Sequence, residues 1–135
     1  MCADPTAVVE RYLALVADPA AGAAALAEVC DPEMRFVERP NLVNPRGGER
    51  DLEAMLASLL LGRRLLAEQR FDVVDHTVAG ERVATRTVWT GTVGEGSGAL
   101  PAGARLRADS AMFFTLRDGR IHRQENFDCF APLPS

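Results

Sequence analysis

Val8, Val9, Tyr12, Leu13 and Val16 follow one another at helical spacing, which predicts an amphipathic first helix with one aromatic hydroxyl on its apolar stripe. Asp4-Pro5 starts it, because aspartate caps a helix well and proline loses nothing at the first helical position. Asp18-Pro19 repeats the signal and predicts a second helix, with Ala23, Leu26, Ala27 and Cys30 on its stripe. Asp31-Pro32 ends that helix, since a residue before proline avoids the helical region, and a short strand from Met34 to Glu38 follows. Asn41 to Gly48 is a loop by composition. From Asp51 onward, Leu52, Met55, Leu56, Leu59, Leu60 and Leu66 keep a helical period for about four turns, making the longest helix.

Beyond it the pattern switches to strand. Phe71 to Val78, Arg82 to Val93, Arg105 to Leu116 and Arg120 to Phe130 are separated by an Ala79-Gly80 turn, a glycine-rich loop from Gly94 to Gly103, and an Asp118-Gly119 turn. The loop is either a lip over a pocket or a plain connection. Short turns impose antiparallel pairing, and three helices must bury their stripes against one face of the sheet. The expected fold is therefore α+β, a cone-shaped half-barrel in which a curved antiparallel sheet wraps around three helices in the order ααβαββββ. Alternation turns Leu106, Ala108, Ser110, Met112, Phe114 and Leu116 inward, together with Val83, Thr85, Thr87 and Trp89. The last strand breaks the rule. Neither Ile121, Arg123, Glu125, Phe127 and Cys129 nor His122, Gln124, Asn126, Asp128 and Phe130 is plainly apolar, so its inner face either lines a wet cavity or hydrogen-bonds the helices.

Composition narrows the function classes. A chain of 135 residues, 47% hydrophobic and 25% charged, fits a single domain over residues 1–135 with a core that needs no staples. Cys2, Cys30 and Cys129 are odd in number and form no CxxC, which points to a reducing cytoplasm, and Cys30 and Cys129 read as small hydrophobes. No apolar run approaches the ~20 residues of a membrane helix. All fifteen basic residues are arginine, scattered among nineteen acids for a net charge of −4. That leaves no basic face for nucleic acid and no lysine for Schiff-base chemistry. His76 and His122 lack a visible second ligand, so no metal is expected.

Thr6-Ala7-Val8-Val9-Glu10-Arg11-Tyr12, the strand ending Phe36-Val37-Glu38-Arg39-Pro40, and the hairpin Phe113-Phe114-Thr115-Leu116-Arg117-Asp118-Gly119-Arg120-Ile121 together resemble the nuclear transport factor 2-like superfamily. Within it, the chain is similar to the ketosteroid isomerases and SnoaL-like polyketide cyclases, from about residue 5 to about residue 130. The resemblance implies a cone-shaped α+β barrel with a deep apolar pocket, usually dimeric. Phe113 and Ala111, on the otherwise polar outer parity of their strand, also suit a homodimer. Ketosteroid isomerases use a tyrosine and a protonated aspartic acid as oxyanion hole and a second aspartate as base. Tyr12 falls on the tyrosine, but Arg39 and Met112 fall on the two acids. The acid/base aspartate of SnoaL-like cyclases falls on Asn126, which carries no proton at neutral pH, and Gln124 sits at a nearby position often held by histidine.

Two ionisable side chains remain near those positions. Glu38 ends an apolar strand, where desolvation would make it a useful base; the alternative is a glutamate in water or paired with Arg35 or Arg39. Asp128 is either a pocket base or a cap at the chain end. The expected function is a cofactor-free acid/base enzyme of isomerase, cyclase or hydratase type, acting on a small, mostly apolar molecule. Tyr12, Glu38 and Asp128 would be its catalytic residues. Phe36, Trp89, Ser110, Met112, Phe114, Gln124 and Asn126 would bind the substrate. A non-catalytic small-molecule-binding or scaffold protein of the same fold is the alternative.

Overall fold

The computed structural model describes residues 4–95 and 100–133; residues 96–99 of the glycine-rich loop from Gly94 to Gly103 fall outside them. Helix α1 spans Pro5–Ala17 and buries Val9, Tyr12, Leu13 and Val16, with the Asp4 carboxylate accepting from the Thr6 amide at 3.0 Å. Asp18 does not start the next helix. Its backbone N–H closes α1 on the carbonyls of Ala14 and Leu15, while its side chain accepts from the Ala20 amide at 2.8 Å. Aspartate serves such a turn as readily as a helix start, so α2 begins only at Ala23 and ends at Val29, capped by Gly22 without a side-chain bond.

Strand β1, Cys30–Glu38, follows at once and runs through Asp31-Pro32, four residues earlier than expected. Proline is tolerated there because pairing with the last strand is interrupted between Cys30 and Arg35, where no ladder donor is required. A strand that the loop composition concealed comes next: β2, Gly48–Asp51, lies antiparallel on β1, with Phe36 opposite Arg50 and Glu38 opposite Gly48. Gly47 makes the return possible. Its φ is +62°, and a Cβ would strike the Glu38 carbonyl oxygen.

Asp51 caps α3, Leu52–Leu65, accepting from the Ala54 amide at 2.9 Å. Only Met55 of its apolar stripe is buried, and Leu60 and Leu61 face outward. Near its end Arg63 donates to the carbonyls of Leu15 and Ala21, tying α3 to the end of α1. Strands β3 (Leu66–Ala79), β4 (Arg82–Val93), β5 (Arg105–Arg117) and β6 (Arg120–Phe130) complete a six-stranded curved, unclosed sheet in the order β2-β1-β6-β5-β4-β3. The fold is α+β, three helices against one sheet. One pair departs from the antiparallel expectation: β1 runs parallel to β6, since no short turn links strands so far apart in sequence. Asp118 and Gly119, both at positive φ, close the two-residue β5–β6 hairpin.

The inner face of β5 is buried as alternation predicts, from Leu106 to Leu116. In β6 a register shift places Ile121 opposite Leu116 and Arg123 opposite Thr115. The bulge leaves His122 as the extra residue and lets Ile121 point inward together with Gln124 and Asn126, two sets that strict alternation separates. Asp31 on β1 is held by Arg117 on β5 through two contacts of 3.0 Å, so this guanidinium keeps its carboxyl below the usual range. No helix among the described residues is long and apolar enough to cross a membrane.

Candidate active site

The helices fill the closed end of the curved sheet and leave a cavity of about 290 Å³ at the other. Each element contributes from its inward parity. Its apolar walls include Phe36 on β1, Met55 and Leu59 on α3, Phe71 on β3, Trp89 on β4, Met112 on β5 and Phe130 on β6; its polar groups include Glu38, Arg50, Ser110, Asn126 and Asp128.

Asp128 lies directly across β5–β6 from Ser110, whose hydroxyl donates to Oδ1 at 2.7 Å. Burial among apolar neighbours pushes its carboxyl upward; the Ser110 bond offsets part of that rise, the charge of Glu38 adds to it, and the Asn126 amide opposes it. A half-buried carboxylate with few donors keeps its proton to higher pH than one in water.

Glu38 does line the cavity, but not as a bare desolvated carboxylate. Oε1 accepts from Arg50 Nη1 at 3.1 Å and Oε2 from Asn41 Nδ2 at 2.9 Å. Neither arginine expected beside it is its partner: Arg39 pairs with Glu125 and Arg35 with Glu49. Arg50 was hidden because it lies on the unforeseen β2, whose register sets its guanidinium over the Phe36 ring, 5.8 Å from the centroid.

Tyr12 also borders the cavity, yet its hydroxyl donates to Gln124 Oε1 at 2.7 Å and lies 3.4 Å from Met55 Sδ. Burial, with Cys30 nearby, holds the phenol far above its ordinary pKa, so it stays protonated. Gln124 in turn donates from Nε2 to Asn126 Oδ1 at 2.9 Å.

Two expected substrate-binding residues lie elsewhere. Gln124 is 2% exposed and sits behind the wall, between Tyr12 and Asn126. Phe114 is 1% exposed and packs edge-on to Tyr12 with ring centroids 6.0 Å apart. It lies one inward position beyond Met112, where the cone is already solid.

The lone tryptophan is held from three sides. Trp89 Nε1 donates to Gln69 Oε1 at 3.0 Å, its ring stands edge-on to Phe130, and it covers Gly91 so closely that a Cβ there would sit 2.7 Å from two ring carbons. Gly91→Ala should therefore push the indole toward the cavity, shifting tryptophan emission and costing about 1–3 kcal/mol, the usual size of overpacking. Unaltered emission and melting would show that the ring yields freely.

The histidines are away from the cavity. His76 Nδ1 meets the Thr85 hydroxyl at 2.8 Å, and His122 lies 3.9 Å from Asp31. Among the described residues no group of three or more His, Cys, Asp or Glu is arranged to hold a metal ion. Cys30 is buried, its thiol pushed up to about 12 by that burial.

Several solved structures share this architecture. IdmH from Streptomyces antibioticus, described as a candidate polyketide cyclase, is 22% identical with a TM-score of 0.78, covering 93% of this chain and 92% of its own. A candidate SnoaL-like polyketide cyclase from Jannaschia sp. CCS1 gives 21% and 0.74, over 92% and 84%. AclR from Streptomyces galilaeus, a candidate hydroxylase, gives 17% and 0.73, over 92% and 74%. At these identities the likeness shows the fold. No curated protein sequence is similar enough to this chain to count as a relative. The profile of the SnoaL-like domain, by contrast, matches residues 9–124, nearly the whole run from α1 to the middle of β6. The chain thus belongs to the SnoaL-like domain family.

Proposed function

We propose that this protein is a cofactor-free acid/base enzyme that moves a proton on a small, mostly apolar molecule bearing a carbonyl or enol oxygen. The observation that carries the reading is Asp128: a carboxylate in a largely apolar cavity, bonded by the Ser110 hydroxyl and raised by burial above its ordinary value, the direction in which a carboxylate becomes a better proton carrier. In its ionised form it would abstract a proton next to the carbonyl. Arg50, fixed by Glu38 and Phe36, is the cation of the cavity wall and would steady the developing oxyanion. Glu38 then acts by anchoring Arg50 and by biasing Asp128 toward its protonated form. The aromatic walls favour a flat, unsaturated body, in keeping with the candidate cyclases that share the fold. Phe113 and Phe127 pair edge-on and half exposed on the outer face of the sheet, which supports a second copy of the chain as partner there.

Proton transfer of this kind is visible without knowing the natural substrate. A panel of small cyclic ketones and β-dicarbonyl compounds in deuterium oxide should show protein-dependent deuterium incorporation beside the carbonyl, followed by proton NMR. Compounds that shift Trp89 emission, and so occupy the cavity, without any exchange across the panel would sink the enzymatic reading in favour of a binding protein.

A further inference from the structure

The buried chain behind Asp128 has a direction, and Tyr12 sets it. A phenol has a single proton to give. Of the two ways to orient the Gln124 amide, only the one with Oε1 toward Tyr12 provides that proton with a strong acceptor at 2.7 Å; the other leaves it the Met55 thioether at 3.4 Å. Once Gln124 Oε1 is an acceptor, Nε2 must donate, and it does so to Asn126 Oδ1 at 2.9 Å. Asn126 has then used its carbonyl, and only its NH2 end is left for the cavity and Asp128. Gln124, at the middle of the chain, is buried behind the cavity wall, so water is not on hand there to satisfy a reversed amide.

We propose that Tyr12 is a positioning residue: through Gln124 its hydroxyl proton fixes the polarity of Asn126, so that Asn126 turns its NH2 group rather than its carbonyl toward Asp128. As a statement about catalysis this rests on Asp128 being the proton carrier; as a statement about hydrogen bonding it does not. An NH2 group beside a carboxylate favours the charged form, whereas a reversed Asn126 would present an acceptor and favour the neutral acid. The chain thus counters part of the rise that burial imposes on Asp128, consistent with the opposing pull of Asn126 there. The charged or titratable groups that share the cavity with Asp128 are Glu38 on β1, Arg50 on β2 and Tyr12 on α1. The other elements offer Ser58 from α3, Gln69 from β3, Trp89 from β4 and Ser110 from β5, none of which titrates near neutral pH.

The test follows the Asp128 carboxyl carbon by NMR as pH is varied, with Asp128→Asn identifying the resonance, so no substrate is required. Tyr12→Phe keeps the ring on Phe114 and removes only the proton. It should raise the Asp128 midpoint by roughly 0.5 pH unit or more. Gln124→Met, which keeps the volume and cuts the chain, should raise it by a similar amount, and the double variant should go no further. A packing role alone would lower the melting temperature and leave the midpoint in place. An unchanged midpoint in folded Tyr12→Phe overturns the proposal, as does a shift in Tyr12→Phe with none in Gln124→Met. Proton-exchange activity separates the two readings: an active Asp128→Asn variant removes Asp128 as the proton carrier and leaves the hydrogen-bond chain standing, whereas an inactive one beside an unshifted Tyr12→Phe refutes the chain alone.

Discussion

Asp128→Asn is expected to lose turnover at least about a hundredfold, the low end of what a positioned acid/base group contributes, while the folded protein melts higher than the parent at neutral pH. Both effects have one origin. In the fold, burial raises the Asp128 carboxyl above its ordinary value of 3.8, whereas the unfolded chain returns it to that value. A raised acid binds its proton more tightly when folded, so its stability contribution is complete below about 3.8 and is lost as pH climbs through the folded value. Asparagine escapes that loss and still offers an oxygen to Ser110. Thermal melts by circular dichroism should therefore coincide near pH 3 and diverge as pH rises, the variant being the more stable. Turnover and stability moving in opposite directions is the signature of a group placed for chemistry at the expense of folding. Superimposable melts at every pH, or intact turnover, would remove Asp128 from its role.

Where one physical rule governs a stretch, its structure is readable along the chain. The α1 stripe has a cap, a proline and a clean period. In β5 the strict alternation of buried and exposed residues leaves one arrangement. The misreadings occur where one residue pattern serves two geometries. Asp18-Pro19 closes a turn instead of starting a helix, and Asp31-Pro32 enters a strand whose pairing is interrupted there. The β2 strand is four residues long, has no apolar alternation, and exists because β1 offers an edge that Gly47 lets the chain reach. Such a strand is a tertiary event, and its residues carry little local signal.

The candidate site divides the same way. Ser110, Met112 and Trp89 lie on strands whose inward parity was legible, and they line the cavity together with Phe36, Asn126 and Asp128. The polar inner face of β6 announced either a wet cavity or hydrogen bonds to helices, and it provides both, with Asp128 in the cavity and Gln124 on the Tyr12 hydroxyl of α1. Arg50 was illegible because its strand was. The pairing of Glu38 with Arg50 was lost with it. Phe71 and Phe130 lie on predicted strands, but which inward residues meet empty space and which meet a helix depends on how far the helices penetrate the cone. No periodicity encodes that depth.

Phe114 makes the point quantitative. It shares its parity with Met112 and Ser110, both cavity residues, yet it packs edge-on to Tyr12 of α1, opposite Val83 and Gln124. Phe114→Ala should therefore cost about 3–5 kcal/mol, a large share of the ~5–15 kcal/mol that holds a domain together, and lower the melting temperature by roughly ten degrees or more. Phe114→Leu removes less volume, should cost about 1–2 kcal/mol, and allows a sharper comparison. Below its melting temperature it should bind cavity ligands with unchanged affinity, because Phe114 has no surface in the cavity. Phe36→Leu changes the wall itself and should alter affinity at little cost in stability. Denaturant unfolding and Trp89-detected ligand titration, run on both variants, place each aromatic by which measurement it moves. If Phe114→Leu weakened ligand binding while its melting curve stayed in place, the hollow would have to extend past Met112 and the solid end of the cone would lie deeper than this structure puts it.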